Sequence, residues 1–535
     1  MIPPPQKSTV LSPAATLVDG RVPPRYSVFR RYVLLFIFCL AQFLDAFNNS
    51  ALFSAIPSLV NDLQMTESEA TWIISAFQLT FASFLLISGK ISDIYNPKHA
   101  FISGAAGLGA ISVGAGFVHD KIAIIVLRAL SGIAASLTIP SALTLLVNLF
   151  PDGPEQARAI GIFGGCGAIG NVLGLTIGAI FIQFATWSWV FWFVALIALP
   201  IAATCMWLIP PQIKQDEDDK PLAAKWKSLD LVGISILTAA LILFIFAITS
   251  GSTSGWASAT VLAPLIISIV MVAGFFYYET LIPTEVAAVP PQTWFLPNFS
   301  VLFGIALMPY FWWTTIFTMF TTLWQDVYQW SVISTALRML PLGILAFAIS
   351  FTGGLSRIIS PKWILLFAQA LVAVATILLH FADGPEKYFP FVLPAFILGT
   401  VGCMLTYTHT NIAIFRTTPS SMAGTVGAIF NGALQLGSAI GIAAVSSIET
   451  SVEATHGGTT SYEGRAAAFW FVLGIVCLEI VSLAVFYRVK AEDAAQVNEK
   501  TIDILEAPSK SMISSPSPLM EKVEKVNSAV TLSPV

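Results

Sequence analysis

Residues 89–98 read GKISDIYNPK, and residues 353–362 read GGLSRIISPK. Five of the ten positions are identical (Gly89/Gly353, Ser92/Ser356, Ile94/Ile358, Pro97/Pro361 and Lys98/Lys362), and Ile91 is matched by Leu355. Each copy follows one long apolar stretch and precedes another, so the two stand at equivalent places 264 residues apart. A polar motif that recurs in this way marks an internal duplication. The chain is expected to fold as two similar halves with an insertion between them.

The composition says in what medium those halves fold. The chain has 535 residues, of which 56% are hydrophobic and 10% charged, against about 25% charged in soluble globular proteins. Only 39 of the 56 charged side chains lie in residues 32–490. This excludes an ordinary soluble enzyme. A net charge of −4 without clustered Lys and Arg excludes a nucleic-acid partner. The partner is the lipid bilayer.

Crossing a bilayer takes about 20 apolar residues. Dividing the chain at its polar and Pro-rich interruptions gives fourteen spans, near 32–57, 70–89, 100–118, 121–149, 157–183, 188–208, 229–250, 258–279, 298–323, 332–353, 362–381, 389–412, 421–447 and 467–488. The duplication pairs spans 1–6 with spans 9–14, leaving 7 and 8 inserted. The expected fold is all-α and polytopic: a disordered tail at 1–31, a six-helix bundle at 32–208, a linker with two inserted helices at 209–297, a second six-helix bundle at 298–490, and a disordered tail at 491–535.

Seventeen Lys and Arg fall on one side of these spans and three, Lys121, Lys387 and Arg465, on the other. By the positive-inside rule both termini are expected in the cytoplasm, with the plasma membrane the expected site and the vacuolar membrane the alternative. The loop at 280–297 has no Lys or Arg, which makes it the first place to look for a miscounted span. The five cysteines each sit in an apolar run without metal-ligand spacing, the five histidines form no catalytic constellation, and no nucleotide-binding Gly-rich loop occurs. No metal, cofactor or enzymatic activity is expected.

GKISDIYNPK resembles the loop that joins spans 2 and 3 in the major facilitator superfamily, with Gly89, Ile91, Asp93 and Lys98 matching and Ile94, Asn96 and Pro97 departing. LDAFNNSALFSAIPSL (44–59) and VLRALSGIAASLTIPSAL (126–143) resemble the first-span and fourth-span signatures of its fourteen-span drug:proton antiporters. WSWVFWF (187–193) and TALRMLPLG (335–343) are typical of the same group. In the fifth span that group shows G-P-x-x-G-G, whereas Gly174-Leu175-Thr176-Ile177-Gly178-Ala179 lacks the proline. The first-span stretch is most similar to the fungal branch that holds ammonium facilitators and aminotriazole- or boron-resistance transporters. The resemblance implies a monomeric secondary transporter of two rocking halves that exchanges a small drug-like or toxic solute against protons. It also implies an inner gate at Gly89, Asp93 and Lys98.

Asp45 lies about thirteen residues into the first span. A charge at that depth costs about 2.5–3.5 kcal/mol on insertion scales and is functional by default, so Asp45 is the first candidate to bind a proton. Arg128, seven residues into the fourth span, must be paired or hydrated; the resemblance makes it a coupling residue, linked to Asp45 across the cavity. Gln42 and Asp45 share one helix face, as do Asn431 and Gln435; these, with Asn48 and Asn49, are the candidate cavity residues. Gly170, Gly174 and Gly178 form a close-packing or bending stripe on span 5. The aromatic run at 310–313 is read as packing before cation stacking, and Glu479 has no evident partner. Two other functions stay open, a facilitator of a small ion such as ammonium or borate, and a nutrient receptor that no longer transports.

Overall fold

The computed structural model describes residues 27–65, 67–151, 153–209, 230–283, 287, 289, 291–418, 422–454, 458 and 460–488. Most of the two tails and of the 209–230 linker lies outside the described residues. All regular structure among the described residues is helical. The first half holds α1 (Val28–Leu63), α2 (Glu67–Ile94), α3 (Pro97–Phe117), α4 (Lys121–Ser136), α5 (Thr138–Leu149), α6 (Gly153–Phe184) and α7 (Ser188–Leu208). The insertion is α8 (Leu231–Ser254) and α9 (Ala259–Leu281). The second half holds α10 (Phe299–Ala306), α11 (Met308–Thr322), α12 (Val332–Ser350), α13 (Pro361–His380), α14 (Leu393–Thr417), α15 (Ala423–Glu453) and α16 (Glu463–Phe486).

Among the described residues, thirteen segments are by length and composition apolar enough to cross a membrane. At the place of the expected seventh span stands α8, a 24-residue helix whose apolar stretch is the shorter Val232–Ile248, so the count of fourteen is compatible with the fold. Span 4 is the pair α4–α5 and span 9 the pair α10–α11. Both breaks have a proline cause. Pro140 has no N–H for the Ser136 carbonyl, and the helix interrupts at Leu137; Pro309 withholds a donor from Ile305, and the interruption falls at Leu307.

The duplication holds in three dimensions. In the first half α1 packs on α6, α2 on α4 and α3 on α7; in the second, α11 packs on α15, α12 on α14 and α13 on α16. Across the halves, α2 meets α15 and its repeat-mate α12 meets α6. The same pairings recur in each half, the pattern of the parallel repeats from which transporters are built.

The shared prolines and lysines of the repeated decapeptide each have a structural reason. Pro97 and Pro361 open α3 and α13, where a missing N–H costs nothing. Asn96, which departs from the family pattern, is the N-cap of α3 and accepts from Lys98 N at 2.9 Å. Lys98 Nζ donates to the carbonyls of Met206 and Ile209 at 2.9 and 2.6 Å, and Lys362 Nζ to those of Ala484 and Tyr487 at 2.9 and 3.0 Å. Each lysine thus caps the end of the sixth span of its own half, where orphan carbonyls and the helix dipole call for a cation.

These contacts define one face, here the basic face, on which α1 begins and α16 ends; Arg30 there reaches the Leu208 carbonyl, and Asn298 the Arg488 carbonyl. Lys90 Nζ donates to the Ala287 carbonyl at 2.8 Å. Ala287, between α9 and α10, therefore lies on the basic face, as an even span count requires.

Candidate functional site

On the basic face the two halves meet backbone to backbone. A Cβ on Gly89 would come within 2.7 Å of both the Gly424 carbonyl and the Ala428 Cβ, and one on Gly353 within 2.6 Å of the Ala157 carbonyl. Gly161 lies against the Ser350 carbonyl, and Gly164 against the Tyr407 ring. Only residues without side chains allow this approach. The two glycines that begin the repeated motif therefore occupy symmetry-related contacts that seal one end of the interface.

The seal ends near mid-depth. Beyond it lies a cavity of about 230 Å³ between α1, α2, α6, α11 and α15. Its lining comes from the middle and far parts of those helices: Gln42 to Phe53 on α1, Tyr310 to Thr322 on α11, and Asn431 to Ile442 on α15. The molecule is closed on the basic face and opens toward the opposite one.

Asp45 is the acidic residue in that lining. It is 6% exposed, its Oδ2 accepts from Thr138 Oγ1 at 2.5 Å, and its Oδ1 has no hydrogen-bond partner. The break at Leu137 is what brings Thr138, the first residue of α5, to this place. Gln42, Asn49, Asn431 and Gln435 line the same cavity, with Gln78 and Asn171. Asn431 donates to the Gly427 carbonyl at 2.9 Å, which leaves its amide oxygen for the cavity.

Three expectations need correction. Asn48 does not line the cavity; its Oδ1 accepts from Arg128 Nη1 at 3.1 Å. Arg128 is 1% exposed and sits outside the cavity, held by the Ile73 carbonyl at 2.8 Å from Nε and with its guanidinium carbon 4.5 Å from the centre of the Phe77 ring. It reaches Asp45 through no cavity: its contact is with Asn48, one helical turn away on α1. Lys98 takes no part in the contact between halves, because it caps α7. The side chain of Asp93 lies outside the described residues.

The glycines of span 5 meet α1. A Cβ on Gly170 would strike the Phe43 carbonyl, one on Gly174 the Ser50 hydroxyl, and one on Gly178 the Ala51 carbonyl. Ser50 and Ser54 donate to the carbonyls of Gly170 and Leu175 at 3.3 and 2.9 Å. In the second half Gly437 and Gly441 lie against Leu307 and Phe311 in the same manner.

The far wall of the cavity comes from one face of α11, which the sequence shows only in part. Tyr310, Trp313, Thr314, Phe317, Thr318, Thr321 and Thr322 all face it, at the three- and four-residue spacing of one helix face. The signal was the threonine stripe: four threonines on one face of an otherwise aromatic helix. Trp312, by contrast, is fully buried in its own half, with Nε1 donating to Thr376 at 3.2 Å. Glu479 has a partner after all: Gln369 Nε2 donates to its Oε2 at 2.7 Å, between α13 and α16 and away from the cavity.

The sequence profile of the Major Facilitator Superfamily matches residues 38–442. The chain belongs to that superfamily. It is accordingly an integral, multi-pass membrane transporter, and members of this superfamily are generally not enzymes. A major facilitator superfamily multidrug transporter of Aspergillus fumigatus, mfsC, is 26% identical over 470 residues, covering 85% of this chain and 87% of that one. The puromycin resistance protein pur8 of Streptomyces alboniger is 26% identical over 491 residues, covering 88% and 94%. A low affinity ammonium transporter of Saccharomyces cerevisiae is 24% identical over 460 residues, covering 84% and 87%. Among solved structures, the human organic anion transporter MFSD10 superposes with a TM-score of 0.60 at 14% identity, over 85% of this chain and 99% of that one. At that identity the likeness is one of fold, and the facilitator fold is the one described above.

Proposed function

We propose that the chain is a proton-coupled exporter of small organic molecules, with both termini in the cytoplasm, and that its halves rock about the central cavity. The observation that carries this reading is Asp45. It is a carboxylate at mid-depth in the wall of the cavity that holds the cargo, so a proton and a cargo compete for one space. Binding of either changes the cost of burying the charge. A site of this kind exchanges one for the other.

Two features support an organic cargo. The cavity is far larger than a single ammonium ion needs, and its wall alternates rings (Phe53, Phe77, Phe81, Tyr310, Trp313) with amides and hydroxyls, the mixture that a drug-sized ligand requires. A multidrug transporter and a puromycin resistance protein are also among its relatives. The basic residues on the sealed face support the cytoplasmic placement of that face.

The test is transport in proteoliposomes of the purified protein, with a fluorescent aromatic amine as cargo and an imposed pH gradient. Accumulation should follow the gradient, stop when it is collapsed, and be absent from the Asp45→Asn variant. Equal transport with and without the gradient would replace this reading by that of a facilitator.

A further inference from the structure

The inserted helices take no part in the site, yet α8 touches both halves: it packs along α2 of the first and along α15 of the second. These two attachments differ. Along α2 the insertion is fixed at three levels. Near the far face Phe246 stacks on Trp72 with ring centres 5.8 Å apart, at mid-depth Thr238 Oγ1 donates to the Ser83 carbonyl at 3.3 Å, and on the basic face Lys90 holds the Ala287 carbonyl beyond α9. So anchored, the hairpin moves as part of the first half.

Toward the second half it reaches out with Trp256. Gly255 adopts φ 81°, a left-handed turn suited to glycine, and Trp256 follows it at the far face. The indole packs against Gly251, where a Cβ would lie 2.8 Å from the ring, and its Nε1 donates to Ser447 Oγ on α15 at 2.6 Å. This bond joins the hairpin to α15 on the side where the cavity holds the halves apart.

We infer that the Trp256–Ser447 bond is a clasp: the hairpin rides on the first half and holds α15 in the position of the state that is open to the far face. The inference rests on the rocking proposed above. When the far side closes, α15 swings against α2 at this level, and a donor fixed on α2 through the hairpin loses its acceptor. The bond therefore belongs to one state and biases the equilibrium toward it.

The test uses the full chain with its five native cysteines replaced, and one reporter cysteine at either Thr321, in the far part of the cavity, or Ser350, buried in the sealed face. Labelling by a soluble maleimide needs no cargo, so failure to find a substrate leaves it intact. In Ser447→Ala and in Trp256→Phe, labelling at Thr321→Cys should slow and labelling at Ser350→Cys should rise, each by about two- to ten-fold, as expected for one net hydrogen bond. Joining Trp256→Cys to Ser447→Cys with a short reducible thiol cross-linker should keep Thr321→Cys reactive and Ser350→Cys protected until the link is reduced. Unchanged labelling in both single variants, or Ser350→Cys labelling in the linked protein at the unlinked rate, would overturn the clasp. If Ser350→Cys is protected in every variant and condition, the rocking itself is overturned, and the clasp with it.

Discussion

The hydroxyl of Thr138 stands 2.5 Å from the Asp45 carboxylate and 2.6 Å from the Ala135 carbonyl. A hydroxyl has one proton to give. Both short contacts are satisfied together when Asp45 carries a proton and donates it to Thr138, which donates in turn to Ala135. With Asp45 ionised, Thr138 turns its proton to the carboxylate and the Ala135 carbonyl loses a donor. On the proposed proton coupling, loss of the Asp45 proton is relayed through Thr138 to the break between α4 and α5.

Substitution of this pair should separate binding from coupling. Asp45→Asn keeps the size and mimics the protonated form, so folding should be retained and proton-driven transport lost. Thr138→Ser preserves the hydroxyl and should keep the parent's pH profile, whereas Thr138→Val should alter it. Proteoliposome flux measured across pH checks all three; an unaltered profile in Thr138→Val would remove Thr138 from the mechanism.

Arg128 holds the Ile73 carbonyl and the Asn48 amide from one planar fork, with Phe77 beneath it. A lysine has no fork and cannot make both bonds in that geometry. Arg128→Lys should keep the charge yet lower the thermal midpoint by several degrees, because an unmade bond at a buried acceptor costs about 1–3 kcal/mol. Asn48→Leu should act in the same direction. Thermal unfolding of the purified variants measures both, and additivity of the two losses would show that the contact carries no energy.

How much of this was legible depended on what each residue answers to. The two halves were legible because a repeat of ten residues survives wherever the same contact is made twice: Gly89 and Gly353 at the seal, Pro97 and Pro361 at helix starts, Lys98 and Lys362 at helix ends. Asp45 was legible because charge in a membrane is costly. The position of Arg128 was not, because depth along a helix says nothing of azimuth, and azimuth decides between the cavity wall and the place beside Asn48 and Ile73 that it occupies. Tyr310 and Trp313 read as packing in the sequence because aromatic residues serve lipid, core and cavity alike; the threonines beside them mark the face toward the cavity.

The stripe Gly170, Gly174 and Gly178 can be tested against glycines of the same protein that meet nothing. A Cβ at any of the three would strike α1, while Gly304 and Gly474 have no atom within 4 Å of theirs. Alanine at each stripe position should lower thermal stability, most at Gly170 and Gly178, where the obstacle is backbone. Alanine at Gly304 or Gly474 should be neutral or stabilising by a few tenths of a kcal/mol, since alanine is the better helix former. A stripe that tolerates alanine as well as the controls would refute close packing as its role.

Glu479 and Gln369 form a second buried pair, 8% and 0% exposed, with Gln369 Nε2 2.7 Å from Glu479 Oε2. Both lie in the second half, on α16 and α13, and neither lines the cavity. A carboxyl group there serves as an interhelical hydrogen-bonding group, a role worth about 0.6 to 1.7 kcal/mol inside a membrane. Glu479→Gln replaces one hydrogen-bonding group by another and should leave both thermal stability and proton-driven flux near those of the parent. Gln369→Leu strands the carboxyl and should lower stability by about 1–2 kcal/mol, with flux reduced only as far as folded protein is lost. The contrast with Asp45→Asn decides between the two carboxylates: if Glu479→Gln abolishes coupling while the protein stays folded, the proton pathway runs through the second half and Asp45 is not its sole station.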